Sequence, residues 1–485
     1  MSAERPKALW NVRLLWVLAG AVVALGAPAQ AGTYYVSLQG DDGKDGRTVR
    51  TAFRKVGRGV SALKAGDTLV IAAGDYGNER AVVAESGTKD APITIRAAEP
   101  GKVVLRSDDG KGAGLFMQDK SHIVIEGIEF GNYESGVTIK YASCHVTVRR
   151  CVFRENNSFG ILVYGDFKKP EASQGIVLTE NTFLDFTDKQ DYGLCLYAST
   201  RLTAANNYFY GWHHQALSFK KLMKDSVASG NTFEGFRYSA VYVGQNDDST
   251  EEGYLRSERI VVEGNVFRPA KDFRAKRAVC VGNVSDAVVR NNFVDSAYGG
   301  DGEGCIAVHP ISTGAKIYGN LIVAENGRGQ PALYLEADCE VYNNTFADCN
   351  FALEIVSGTA PVLRNNLFYR NKTQVKFSPA PAYKEGDEHK TRRFPDGKVW
   401  TWRADPAKKP VFEHNDWFPK CDGMGAADLS ADPKFVGSFE PLKAGGLNPV
   451  FVLDMRRAQA YRLPQDSPCA GMGANWPEPD TSRPR

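Results

Sequence analysis

The chain has 485 residues and is nearly balanced in charge, with 59 Lys and Arg against 57 Asp and Glu and a formal net charge of +2. That balance gives no electrostatic footing for binding nucleic acid. The nine cysteines are an odd number, so a complete disulfide framework within one chain is excluded.

The N-terminus reads as an export signal. Arg5, Lys7 and Arg13 form a basic region, Leu14–Ala27 is apolar, and Ala29-Gln30-Ala31 fits a small-x-small cleavage site. The mature chain is expected to begin near Gly32 and to reside in the periplasm or outside the cell. No later apolar run is long enough to span a bilayer once the signal is removed. In an oxidising compartment Cys421 with Cys469, or Cys339 with Cys349, are candidate disulfides; buried free thiols are the alternative.

Thr33–Ser37 is a first strand. Gly40–Gly46 (GDDGKDG) is a tight acidic loop, either a polar turn or a partial calcium loop built on Asp41 and Asp45. Thr51–Leu63 carries helical spacing at Phe53, Val56, Val60 and Leu63, which predicts a helical cap over an open solenoid end. Thr68–Ala72 is the next strand.

The string AGDTLVIAAGDY from Ala65, followed by SGTKDAPITIRAAEPGKVVL, resembles the N-terminal coils of exported right-handed β-helix proteins that act on polysaccharides. Chondroitinase B and the alginate lyases related to it are similar here. Ala431–Val436 (ADPKFV) and Asp466–Ala474 (DSPCAGMGA) are similar to the closing phrase of the same group. The resemblance implies a right-handed parallel β-helix with polysaccharide as its partner. The paired Glu, Ser-x-Lys and Arg-His-Gly pattern of chondroitinase B is absent, so no site residue is carried over.

The middle of the chain is a repeat, clearest from Ile176 to Val243. Each copy there has a short alternating strand, an Asn, an aromatic two residues later, a polar turn and a second alternating strand. The Asn column runs Asn181, Asn207, Asn231, Asn265, Asn292, Asn320, Asn344, Asn366, with spacings of 26, 24, 34, 27, 28, 24 and 22 residues. Weaker copies precede it at Ile123–Lys140 and Val146–Tyr164. A period of this length built from short β segments predicts an all-β fold, a parallel β-helix of about ten or more coils. The recurring Asn reads as structural, its amide bonding its counterparts in the coils above and below. The expected organisation is a signal over 1–31 and a β-helix with N-terminal cap over 32–378. An irregular insertion over 379–410, loop-rich C-terminal coils and cap over 411–476, and a disordered tail over 477–485 follow. A capped solenoid of this kind is expected to be a monomer.

Aligning the second strand of each coil separates two faces. One column is apolar throughout, from Val137/Ile139 through Leu217/Phe219 to Leu353/Ile355, and is core. Strand alternation puts the residues between and after these outside. That outer column reads Lys140, Tyr164, Tyr197, Lys220, Gly244, Gly282, His309, Glu336, with Ser218, Tyr242 and Tyr334 beside it. The turns just ahead add Asp191, Tyr192, Trp212, His213, His214, Arg237 and Tyr238. Coils stack about 4.8 Å apart, so three coils span roughly 15 Å, the length of a few sugar units. Gly244 and Gly282 are expected to open a groove in the middle of this strip.

Aromatic rings suit pyranose faces, and cations suit an acidic sugar. Substrate contact is therefore expected at Tyr164, Tyr197, Trp212, His213, Tyr238 and Gln245. For β-elimination, Lys220 is the favoured base, with His214 or His309 as alternatives. Tyr242 or Tyr197 is the acid, and Arg237 neutralises the carboxylate. The excursion Gln245–Ser257 carries Asp247, Asp248, Glu251 and Glu252. It is a hydrated acidic loop or a calcium site, and calcium is the one cofactor considered. Asp247 and Asp248, with a partner such as Asp191, keep a glycoside hydrolase open. The expected function is a lyase acting on an acidic polysaccharide. A hydrolase, a uronate epimerase and a non-catalytic carbohydrate-binding protein are the alternatives that the fold also hosts.

Overall fold

The computed structural model describes residues 31–185, 191–211, 213–236, 238–244, 256–268, 277–295, 304–323, 331–380, 391–393, 399–401, 405–418, 428–434 and 461–474. The expected export signal and the C-terminal tail lie outside these residues. Among the described residues no helix is long and apolar enough to cross a membrane.

Short strands with period-2 alternation fold here into three long parallel sheets of 14, 12 and 13 strands. Each coil lays one strand on each. The coil of Asn181 is representative: Val177–Thr179 joins the 14-stranded sheet, Thr182–Asp185 the 13-stranded sheet and Tyr192–Tyr197 the 12-stranded sheet. This is the parallel β-helix that the repeat predicts. The inward positions from Val137/Ile139 to Leu353/Ile355 are at most 1% exposed.

The turn ahead of each ladder Asn takes a left-handed residue. Glu180, Asn206, Gly230, Gly264, Asn291, Gly319, Asn343 and Asn365 all have φ between 54° and 65°. Left-handed backbone is cheapest for Gly and tolerable for Asn, which is why Gly-Asn and Asn-Asn recur. The following Asn is fully buried and closes an amide ladder. Nδ2 of Asn181 donates to Oδ1 of Asn207 (3.1 Å), and the same bond repeats through Asn231, Asn265, Asn292, Asn320, Asn344, Asn366 and Asn415 at 2.9–3.0 Å. Each Oδ1 also accepts the backbone N–H of the preceding ladder residue, as Asn231 Oδ1 does from Asn207 (2.9 Å). Each Nδ2 reaches back to a carbonyl of the coil before, as from Asn231 to Ala204 (3.0 Å). Two positions on, still facing inward, Phe153, Phe183, Phe209, Phe233 and Phe267 stack with centroids 4.7–5.0 Å apart. The ladder ends at Asp428, whose Oδ1 accepts the Asn415 N–H (2.7 Å) and whose Oδ2 accepts Trp417 Nε1 (2.7 Å).

The N-terminal cap is shorter than its spacing predicts. The helix runs only Val56–Ala62, after a 3-10 turn at Val49–Thr51. Phe53 instead bridges Val36 in extended form and is buried under the first coil. Gly59 lets the helix lie close on that coil, since a Cβ there would sit 2.7 Å from Val36 Cγ2. The acidic loop before it is held by side-chain-to-backbone bonds. Asp41 and Asp45 each accept the N–H two residues on, and Asp42 Oδ1 accepts Arg54 and Lys55 N–H (2.8 and 3.0 Å). At the other end, the strands Thr391–Arg393 and Val399–Thr401 pair antiparallel within the stretch expected to be irregular. The solenoid resumes at Val411–Glu413 and Asp416–Phe418. Cys339, Cys349 and Cys469 are free and buried, so neither expected disulfide forms; Cys421 lies outside the described residues.

Replacing Asn231 by Ala removes two bonds donated by Nδ2 and two accepted by Oδ1, and orphans groups on both neighbouring coils. At about 1–3 kcal/mol for each buried group left unmet, Asn231→Ala is expected to destabilise by about 3 kcal/mol or more. The midpoint of urea unfolding checks this; a loss under about 1 kcal/mol would remove the ladder as the dominant constraint.

Candidate functional site

The outer face of the 12-stranded sheet carries three columns whose register follows from strand pairing. The first runs Phe159, Tyr192, Gln215, Ser239, Arg277. The second runs Leu162, Cys195, Ser218, Tyr242, Cys280, Ala307, Tyr334, Glu354. The third is the column that alternation predicts. Lys140 pairs with Tyr164, Tyr164 with Tyr197, and Gly244 with Gly282. Lys220, His309 and Glu336 extend the ladder by donating their N–H to Leu196, Val281 and Val308 (2.8, 2.8 and 2.9 Å). One coil therefore presents Gln215, Ser218 and Lys220 side by side.

These three side chains form one connected polar contact. Gln215 Oε1 accepts Lys220 Nζ at 2.9 Å and also the Ser218 hydroxyl. Lys220 Nζ lies 4.9 Å from the Tyr192 ring centroid, on the coil before, and 5.1 Å from that of Tyr242, on the coil after. Beside them His214 stacks on Tyr238 (5.0 Å) and meets the edge of Tyr192 (6.1 Å). The Arg277 guanidinium lies 4.9 Å from the Tyr238 ring. Further along, His309 Nδ1 and Glu336 Oε2 stand 3.4 Å apart.

The strip is less open than alternation alone implies. Lys220 is 7% exposed, Tyr242 6%, His309 5% and Glu336 2%. Open ring surface lies instead one to two coils toward the N-terminus. There Tyr164 (37% exposed) packs with Phe167 and Tyr197 at 5.2 and 5.4 Å. Gly244 does not open a groove. Its φ is +86°, and a Cβ would fall 1.6 Å from the Gly282 carbonyl oxygen, so the glycine serves close approach of two backbones.

Among the predicted site residues, Lys220, Tyr242, His214 and Tyr238 come together. Tyr164 and Tyr197 adjoin them, and His309 lies further along the same column. His213 is fully buried and does not reach the surface of the sheet. Trp212, Arg237, Gln245, Asp247, Asp248 and Glu251 lie outside the described residues. Among those described, no group of three or more His, Cys, Asp or Glu stands ready to hold a metal. Two residues were missed. Gln215 precedes the alternating run, where the chain turns into the sheet. Arg277 stands two residues ahead of the inward Val279, at the opening of the strand Arg277–Gly282. A cavity of about 300 Å³ at Val356, Phe377, Lys408 and Lys409 lies several coils away and shares none of these residues.

Residues 34–212 match the family described as Pel9A-like, right handed beta helix region, and residues 223–379 match the right handed beta helix region family. No curated protein matches the sequence. Among solved structures, the GH136 lacto-N-biosidase from Eubacterium ramulus is similar at 12% identity and a TM-score of 0.52, over 79% of this chain and 67% of that one. The A-module of the Azotobacter vinelandii mannuronan C-5 epimerase AlgE6 is similar at 14% identity and TM-score 0.46, over 66% and 92%. Pectate lyase Pel9A is similar at 15% identity and TM-score 0.37, over 73% and 79%. At these identities the likeness is one of fold.

Two outcomes follow from the geometry. Gly244→Ala is expected to destabilise by about 3 kcal/mol or more, measured by urea unfolding, because both its φ and its contact forbid a side chain. Burial pushes the Cys195 thiol up to about 12, against smaller opposing effects of Lys220 and Tyr197. A thiol reagent at about pH 8 should therefore leave Cys195 unlabelled until the chain unfolds, since only the thiolate reacts. Peptide mapping of the native protein checks this.

Proposed function

The chain being a right-handed parallel β-helix protein with a Pel9A-like region over residues 34–212, we propose that it is a polysaccharide-active enzyme, a lyase that cleaves an acidic polymer by β-elimination. The observation that carries this reading is Lys220, held between the Tyr192 and Tyr242 rings on the outer face of the coils. Elimination needs a base at the proton α to the uronate carboxylate, an acid at the leaving oxygen, and a partner for the carboxylate.

In this reading the neutral Lys220 amine takes the α proton. The C–H pair becomes the new C=C bond, the bond to the leaving oxygen breaks, and the Tyr242 hydroxyl protonates that oxygen. Taking a lysine out of water disfavours its charged form, which suits a base. Arg277 stands two coils from Gln215 in the same column, about 10 Å along the face. It is a second candidate, beside Arg237, for the carboxylate. The open rings of Tyr164 and Tyr197 suit stacking of neighbouring sugars. His214 and His309 are the alternative bases.

Export to the periplasm or medium belongs to this reading and rests on the basic-apolar-small pattern of residues 1–31. Calcium at Asp247, Asp248 and Glu251 belongs to it as an option that a chelator tests. Glu336, buried against His309, with Glu354 on the next coil in the neighbouring column, supports a second reading as a glycoside hydrolase, which works with two carboxylates.

A panel of acidic polysaccharides, followed by ultraviolet absorbance and by new reducing ends, separates these. The lyase produces both signals and the hydrolase only the second. Lys220→Ala is expected to lower turnover roughly 10²–10⁴-fold with an unchanged unfolding midpoint. Activity within tenfold of wild type would remove Lys220 as the base.

A further inference from the structure

The Gln215 amide has a fixed orientation. In its resting, protonated form Lys220 Nζ only donates, so the Gln215 atom facing it is the oxygen. Both Lys220 and the Ser218 hydroxyl converge on that oxygen. The amide nitrogen therefore points away from Lys220, and among the described residues it makes no hydrogen bond. Gln215 itself is 4% exposed. A largely buried amide with a saturated carbonyl and an unused NH2 presents a donor beside the amine.

We propose that Gln215 does two things for the lyase reading on which this inference rests. Its carbonyl positions Lys220, and its NH2 donates to an anionic oxygen of the substrate, the carboxylate adjoining the proton to be removed. A donor at this position compensates negative charge as it develops on the carboxylate during proton removal, which is where a fixed dipole acts best. It also sets a preference for uronate over its neutral ester, because the charge-assisted bond is the stronger one. The side chain is neutral, so it draws the polymer's charge without competing with Lys220 for the proton.

Among the described residues, titratable groups facing Lys220 include Tyr192 and Cys195 from the coil before and Tyr242 from the coil after, with Lys221 next in sequence. Gln215 and Ser218, its partners on its own coil, do not titrate in the working range. Gln215→Glu keeps the shape and an acceptor for Lys220, but replaces the donor by a negative charge. That charge favours the protonated lysine, so the base would become active only at higher pH.

The test compares wild type, Gln215→Glu, Gln215→Met and Lys220→Ala on one cleaved uronate polymer and its methyl ester. For Gln215→Glu the expected results are a KM on the acid polymer raised at least about tenfold, little change on the ester, and the acidic limb of the kcat profile moved upward by about one pH unit or more. Gln215→Met, which cannot donate, should also raise KM on the acid polymer, while its acidic limb does not move upward. Circular dichroism and unfolding midpoints verify that each variant folds. If Gln215→Glu and Gln215→Met both match wild type in KM and pH profile while Lys220→Ala is inactive, the assignment of Gln215 is overturned and the base stands. If Lys220→Ala retains activity, the base itself fails, and the assignment of Gln215 fails with it.

Discussion

The outer face of the site depends on one buried contact, the amide-to-amide bond that joins each ladder Asn from Asn181 to Asn415 to the next coil. An Asn side chain has one acceptor and one two-hydrogen donor. Here both are fully used, with two bonds into the oxygen and two from the nitrogen at Asn231. The pattern is satisfied only when consecutive coils stand in one register. A slip by one residue would turn every side chain to the wrong face and leave buried amides unmet. The phenylalanine stack two residues on reinforces the same register with apolar contact. Neither interaction touches the outer face, yet together they decide which side chains meet there.

That register turns sequence positions far apart into neighbours. Tyr192, Gln215 and Ser239 are separated by 23 and 24 residues (192 to 215, 215 to 239) and sit on adjacent strands. Lys220 consequently meets a ring from the coil before and another from the coil after. The solenoid holds Tyr192, Gln215, Ser218 and Tyr242 on strands, with Lys220 directly after one. The glycine pair 244/282 lets two backbones close up directly after the Lys220 coil.

The architecture was legible because its two determinants have fixed periods. Alternation marked the core column, and the Asn recurring every 22 to 34 residues marked the coils. The turn chemistry was legible too, in the Gly or Asn that precedes most ladder residues. The site was legible only in part. Lys220 and Tyr242 follow directly from alternation, Tyr242 inside its strand and Lys220 one residue past the end of its own. Gln215 does not, because it sits where the chain rounds a corner and alternation has not begun. Arg277 was hidden by a longer connection that shifted the apparent start of its strand. The shielding of Lys220, His309 and Glu336 was not legible either. A strand pattern tells which way a side chain points, not what else folds over it. The thiols show the same limit: spacing proposed Cys339 with Cys349, whereas both pack as apolar side chains in the core.

The ladder also has a direction. Every amide nitrogen gives one of its two bonds to the asparagine on its C-terminal side, so the last residue must accept without needing to donate onward. Asp428 meets that condition: a carboxylate has acceptors only, and both of its oxygens are occupied, by Asn415 and Trp417. The molecule is thus built like a polymer with a reactive repeat and a terminator. An additional coil could be spliced in between any two internal asparagines, since it would take up one donor and supply another. Past Asp428 no further unit can be appended without first changing that residue. At this end the ladder is lengthened only from within, and the site can gain or lose neighbouring coils while the C-terminal end of the ladder stays as it is.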